Sequence, residues 1–163
     1  MSSMVTTHER PGVYSVYAAS AVVSGAARRG WAAVAARSQG GTPGKLYDLG
    51  RYEEAETTFG KEDALTALVK LLMANGAARV LAVPVEEEAD YPAAFALLGE
   101  QESVKVVVCD SQTLSVQQAL RDQVLADAQV RRERIAVVPG GAEESVSQLV
   151  ARAKELNSER VVL

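Results

Sequence analysis

The chain has 163 residues, 17 of them Lys or Arg and 21 Asp or Glu, with a net charge of −4. That length suits one ordinary domain with a real core, and 48% hydrophobic with 23% charged residues excludes a disordered or collagen-like chain. No apolar run approaches the roughly 18–20 residues a bilayer span needs, which argues against membrane insertion, and the acidic balance argues against a general nucleic-acid binder.

The first eleven residues are polar and read as extended. Val13, Tyr14, Val16 and Tyr17 are good strand formers. Fixing a free segment costs about 1–2 kcal/mol per residue in backbone entropy, and residues 1–17 carry few large apolar groups to offset this within one chain. They are expected to form an extended N-terminal arm, either disordered or ordered by a neighbour through an added strand. Residues 18–60 read as a small β-rich segment. Ala21–Val23 and Trp31–Ala35 are candidate strands around a turn at Gly25 to Gly30, Gln39–Gly44 is a loop by composition, and Leu46–Leu49 is a further short strand. Residues 1–50 hold five basic and two acidic side chains, a net of +3, whereas 51–163 hold twelve and nineteen, a net of −7. A basic start on an acidic body would suit contact with another copy.

From residue 61 the pattern becomes regular. Leu65, Leu68, Val69 and Leu72 recur at helical spacing and predict a helix over 62–75 that stops at Gly76. Arg79–Val85 predicts a strand with Pro84 near its end, because proline cannot donate to a ladder. Asp90 is the predicted cap of a short helix with Pro92 in its first turn and Gly99 after it. Val104–Cys109 reads as a strand buried on both faces. A longer helix is expected from Leu114 to Gln129, capped by Ser111 or Thr113, with Val116, Leu120, Val124 and Ala128 as its stripe. Arg131, Arg132 and Arg134 with Glu133 read as a solvated helix end. Arg134–Val138 is the third predicted strand. After Pro139–Gly141 a helix is expected with Glu143 and Glu144 in its first turn and Val146, Leu149, Val150, Ala153 and Leu156 as its core stripe. Arg160–Leu163 opens a fourth strand. Strands alternating with helices in this way predict right-handed βαβ units, hence an α/β fold with a mainly parallel sheet in 61–163, preceded by the β-rich segment and the arm.

Few residues carry chemistry. The single histidine, His8, lies in the arm and suits no catalytic triad. The single cysteine, Cys109, excludes an intrachain disulfide and closes a strand, with Asp110 and Ser111 following. In an open α/β sheet that is where ligands bind. No second His or Cys stands in the sequence to activate the thiol, so a buried small residue followed by turn and cap residues is the favoured reading. Pro139-Gly140-Gly141 lacks both the GxGxxG spacing and a terminal Lys-Ser/Thr, and Gly40, Gly41 and Gly44 precede no helix, so neither is a phosphate loop. Glu86–Glu88 with Asp90 reads as a solvated acidic turn rather than a metal cluster. No catalytic residue, cofactor or metal is expected.

Several segments resemble contractile-tail sheath proteins of myophages, tailocins and related injection systems. They are His8-Glu-Arg-Pro-Gly-Val-Tyr14, Gly30–Ala36 running on to Glu56-Thr-Thr-Phe-Gly60, Asn75-Gly-Ala-Ala-Arg-Val-Leu-Ala-Val-Pro-Val85, Asp90–Phe95, Val107–Ser111 and Leu156–Leu163. Their order and spacing carry the resemblance over nearly the whole chain. It implies a non-enzymatic structural subunit that self-assembles around a tail tube, with other sheath subunits and the tube protein as partners. Its site would be a virion or phage-like tail, after synthesis in the bacterial cytoplasm. It further implies strand exchange through the arm, with Val5, His8, Arg10, Pro11, Val13, Tyr14, Val16 and Tyr17 as inter-subunit residues. Sheath proteins are longer, so the α/β domain of 61–163 is expected to be incomplete at its C-terminus. The alternative reading is a small α/β enzyme or ligand-binding domain with its site at the strand ends near Cys109, Asp110, Pro139 and Gly140.

Overall fold

The computed structural model describes residues 30–163. The arm residues from Val5 to Tyr17 and the candidate strand Ala21–Val23 lie outside the described residues. Six strands form one sheet: β1 (Gly30–Arg37), β2 (Tyr47–Leu49), β3 (Ala77–Val85), β4 (Val104–Cys109), β5 (Ile135–Val137) and β6 (Val161–Val162). The helices are α1 (Tyr52–Phe59), α2 (Ala64–Ala74), α3 (Tyr91–Gly99), α4 (Leu114–Gln129) and α5 (Val146–Leu156), with a 3₁₀ turn at Glu88–Asp90. The strand order is β2-β3-β1-β4-β5-β6, parallel throughout except for β2.

The α/β fold with a mainly parallel sheet matches the expectation, but its extent does not. Residues 30–60 are no separate β-rich segment. β1 lies at the centre of the sheet, in register with β3 from Trp31↔Arg79 to Arg37↔Val85 and with β4 from Ala32↔Val106 to Ala35↔Cys109. Ala32 to Ala36 are all buried. A strand of alanines looks weak in isolation because it brings little apolar area of its own. It is sealed instead by large side chains from other elements. Ala33 and Ala35 share a cluster with Leu81, Tyr91 and Phe95, and Val34 and Ala36 share one with Phe59, Leu65 and Val69 on the opposite face.

α2 starts at its Asp63 cap, whose carboxylate accepts from Leu65 N at 2.9 Å, and stops at Gly76, where φ is +97°. β3 carries Pro84 one residue from its end. β2 pairs only with Val80–Ala82, so the missing N–H lies beyond that partner, and Pro84 O accepts from Gly44 N at 2.9 Å. α4 has the expected bounds. Val116, Leu120 and Val124 are buried, while Asp127 and Gln117 are buried in the same helix and Ala128 only half-buried.

Five local expectations are corrected. Asp90 does not cap α3 with its side chain; its carboxylate accepts from Glu87 N and closes the preceding 3₁₀ turn. β4 is buried on one face only, because α1 and α2 reach no further across the sheet than β1 and β3. Lys105 is exposed, and Val106 and Val108 are half-buried. Glu143 and Glu144 precede α5, which is capped by Ser145. The α5 stripe is not core. Leu156 is its one buried residue, and Val146 is 78% exposed because α5 lies at the sheet's outer edge, where nothing among the described residues stands opposite. Arg134 is buried rather than solvated. Its guanidinium donates to the carbonyls of Leu98, Gly99 and Gln101 at the end of α3 and pairs with Asp127 at 3.4 Å.

Candidate functional site

Connections from β1 and β4 leave the sheet in opposite directions, so the crevice between their carboxyl ends is the place where an open α/β sheet binds ligands. Here the chain's own groups fill it. Asp110 accepts from the Arg37 backbone N–H at 3.1 Å and from the Tyr91 hydroxyl. Arg37 pairs with Glu88 at 3.2 Å, and Glu88 accepts from Ser111 Oγ at 3.0 Å. Gln117 is fully buried and donates to the carbonyls of Ser111 at 2.9 Å and Pro139 at 2.8 Å. Arg152 donates to Gln117 Oε1 and to the Gln112 carbonyl, and pairs with Glu144. Glu144 in turn accepts from Gly141 N at 2.9 Å. Arg152, followed by that backbone N–H, holds the Glu144 carboxyl below its ordinary range. Burial and then the Asp110 carboxylate push the Tyr91 phenol well above its usual value, so it serves as a donor and not as a base.

Strand ends, helix caps and loops are thus stitched into one polar seam. Of the residues of the alternative reading, Asp110 and Pro139 take part in it, while Cys109 lies in the apolar cluster beneath and Gly140 packs against Leu149. Cys109 is 2% exposed, and burial pushes its thiol up to about 12. A Cβ on Gly140 would stand 2.5 Å from Leu149 Cδ2, so that loop is closed by α5. Sequence patterns could flag the four positions but not the residues that occupy them, since Arg37 and Glu88 come from other loops.

The state of the thiol has a measurable consequence. Unfolded, it titrates near 9 and folded near 12, so at pH 8 the native chain holds about 1000-fold less thiolate. Reaction of Cys109 with a disulfide reagent at pH 8 should be slower than in the urea-unfolded chain by about that factor; a rate within tenfold would contradict the burial. Because the folded value is raised, the stability held below pH 9 is lost as pH rises from 9 towards 12, and Cys109→Ala should flatten that slope.

Beside the ends of β1 and β3 lies an open hollow of about 1070 Å³, whose lining includes Arg37, Phe59, Lys61, Asp63 and Glu86. Its charges are mixed. Asp63 is already engaged by Gln39 N at 3.1 Å and Leu65 N. Among the described residues no group of three or more His, Cys, Asp or Glu is placed to hold a metal ion, and no helix is long and apolar enough to cross a membrane.

The unsatisfied surfaces lie at the other edge. Val146, Val150, Val162 and Leu163 are 78%, 48%, 49% and 40% exposed. With Leu149 and Ala153, Val146, Val150 and Leu163 line an apolar groove of about 580 Å³. β6 pairs only with β5, which leaves its outer edge open among the described residues.

The strand-end seam is bonded within the chain, whereas the β6 edge and the α5 stripe are open among the described residues. No known protein family matches the sequence, and no curated protein does. Among solved structures, the chain shares its fold with the helical sheath of the anti-feeding prophage in its contracted state, seen by cryo-EM. The TM-score is 0.57 and the identity 14%, over 96% of this chain and 45% of that one. It also matches a chain of the six-fold symmetrised baseplate of the same prophage, with TM-score 0.57 and 14% identity, over 99% of this chain and 46% of that one. The chain therefore spans less than half the length of the solved structures it matches.

Proposed function

We propose that this protein is a structural subunit of a contractile tail sheath, acting by self-assembly around a tail tube in a phage-like particle. The observation that carries the reading is the fold shared with a helical sheath over 96% of the chain. Two features of the molecule support it. The strand-end groups that would serve an enzyme of this fold class are bonded to one another, among them the half-exposed Arg37–Glu88 pair and the buried Gln117. The β6 edge and the α5 stripe offer strand pairing and apolar contact to another subunit. Strand exchange runs through the arm, with Val5, His8, Arg10, Pro11, Val13, Tyr14, Val16 and Tyr17 as the residues that meet a neighbour. The role is not enzymatic and needs no cofactor.

Sedimentation velocity tests this reading. The 163-residue chain should shift to larger species as its concentration rises, and a chain lacking residues 1–17 should remain monomeric. A monomer at every concentration would overturn self-assembly. Stabilisation of the full chain by a small metabolite, lost in Asp110→Ala, would move the function to ligand binding.

A further inference from the structure

α5 is fastened to the molecule by charge more than by apolar contact. Of its eleven residues only Leu156 is buried, whereas the neighbouring α4 buries Val116, Leu120 and Val124. What crosses between the two helices is an exchange of arginines. Arg152 of α5 donates to Gln117 Oε1 of α4 at 3.2 Å and to the Gln112 carbonyl, ahead of α4, at 2.8 Å. Arg121 of α4 donates to the Glu155 and Leu156 carbonyls at 3.4 and 3.3 Å. Those carbonyls belong to the last turn of α5, where helix carbonyls lack partners of their own and a cation suits the helix dipole.

β6 adds little to this. It is two residues long. Its ladder to β5 includes Ala136 N donating to Arg160 O at 2.8 Å and Val138 N donating to Val162 O at 2.9 Å, with an Arg160–Glu133 ion pair beside it. Residues 157–160 join α5 to β6 and turn at Asn157, where φ is +39°. So short a link couples the two elements. The remainder of the sheet does not depend on them. Gln117 donates to the Ser111 and Pro139 carbonyls, which lie outside both, and the β4–β5 ladder involves neither.

We propose that α5 and β6 form a latch that swings off the sheet as one unit while β1–β5 stay folded, with Arg121 and Arg152 as its two fastenings. Local opening of this kind belongs to elements with few buried apolar contacts. Open, the latch bares the outer edge of β5 and Gln117 Oε1. The inference goes beyond the sheath reading, which concerns contacts between subunits.

Hydrogen exchange of the full chain, followed residue by residue by mass spectrometry at low micromolar protein, tests it. The amides of a parallel strand alternate between its two neighbours, so Ala136 and Val138 face β6 while Val137 faces β4. Ala136 and Val138 should exchange at the common rate of α5 and β6, at least about tenfold faster than Val137 and the amides of α4. Arg121→Met and Arg152→Met should each raise that common rate by at least about threefold and leave α4 unchanged, because a charge-assisted bond is lost from the closed form alone. The unsubstituted chain decides by itself if either variant fails to fold. Ala136 and Val138 exchanging as slowly as Val137 would overturn the proposal. So would α5 exchanging while Ala136 and Val138 hold, which would mean that the helix frays alone. Acceleration that spreads to α4, or none in either variant, would also overturn it. A monomer in sedimentation would leave the exchange pattern in place, so failure of the sheath reading stays distinct.

Discussion

Replacing Arg134 with methionine should destabilise the chain by about 3–5 kcal/mol. The methionine keeps the stem's volume but removes the charge, and leaves the carboxylate of Asp127 buried without its cation. Three carbonyls at the end of α3, those of Leu98, Gly99 and Gln101, each lose one donor at the same time and keep another, from Gln101 N, Arg132 and Val104 N respectively. The pair is already under tension: burial lowers the affinity of Arg134 for its proton while Asp127 works in the opposite direction. Asp127 keeps one further partner, Gln123 Nε2 at 2.9 Å. The double variant Arg134→Met with Asp127→Leu should therefore recover a large part of the loss, because well-packed apolar groups replace a buried ion pair at little cost. Urea unfolding followed by circular dichroism measures both. A loss under about 1 kcal/mol for the single variant would show that Asp127 finds water on its own.

The second large effect is expected at Phe95. Its ring is 1% exposed and lies 5.7 Å from the ring of Tyr91, centroid to centroid. It belongs to the cluster whose sheet side includes Ala33 and Ala35. Truncating a buried phenylalanine costs about 3–5 kcal/mol, the higher figure applying where the site cannot collapse. Alanines cannot lean into the space a lost ring leaves, so Phe95→Ala should fall in the upper part of that range. Phe95→Leu, which keeps most of the volume, should cost under about 1.5 kcal/mol. Thermal and urea melts of the two variants side by side decide it. Similar losses for both would mean that α3 shifts to close the gap.

What the amino-acid order revealed follows the range of each interaction. β3, β4 and α4 were legible because their signals are local: a short valine-rich run, a proline at the right end, an apolar stripe over four turns. The central place of β1 was hidden because five small residues in a row, Ala32 to Ala36, owe their burial to side chains that arrive later in the chain. The α5 stripe was visible as a pattern, but periodicity tells which residues share a face and not whether anything stands opposite. Arg134 was missed because a cluster of arginines is ordinarily solvated, and the carbonyls that receive it lie 33 to 36 positions earlier. The strand-end seam escaped for the same reason. Asp110 and Ser111 were marked as candidates, yet what closes the crevice is Arg37, 73 positions from Asp110, and Glu88, 23 from Ser111. Fold class is written in local rhythm, whereas the occupancy of a site depends on remote partners.

The position of β1 has a mechanical consequence. Gly30 opens β1, and from there the strand runs between β3 and β4 in parallel ladders on both sides. Tension applied to the leading end of the chain is delivered along the axis of the innermost strand. It meets two rows of slanted bonds in shear, which yield together rather than one at a time. An edge strand loaded in the same way would give up one ladder; this one has to break two at once.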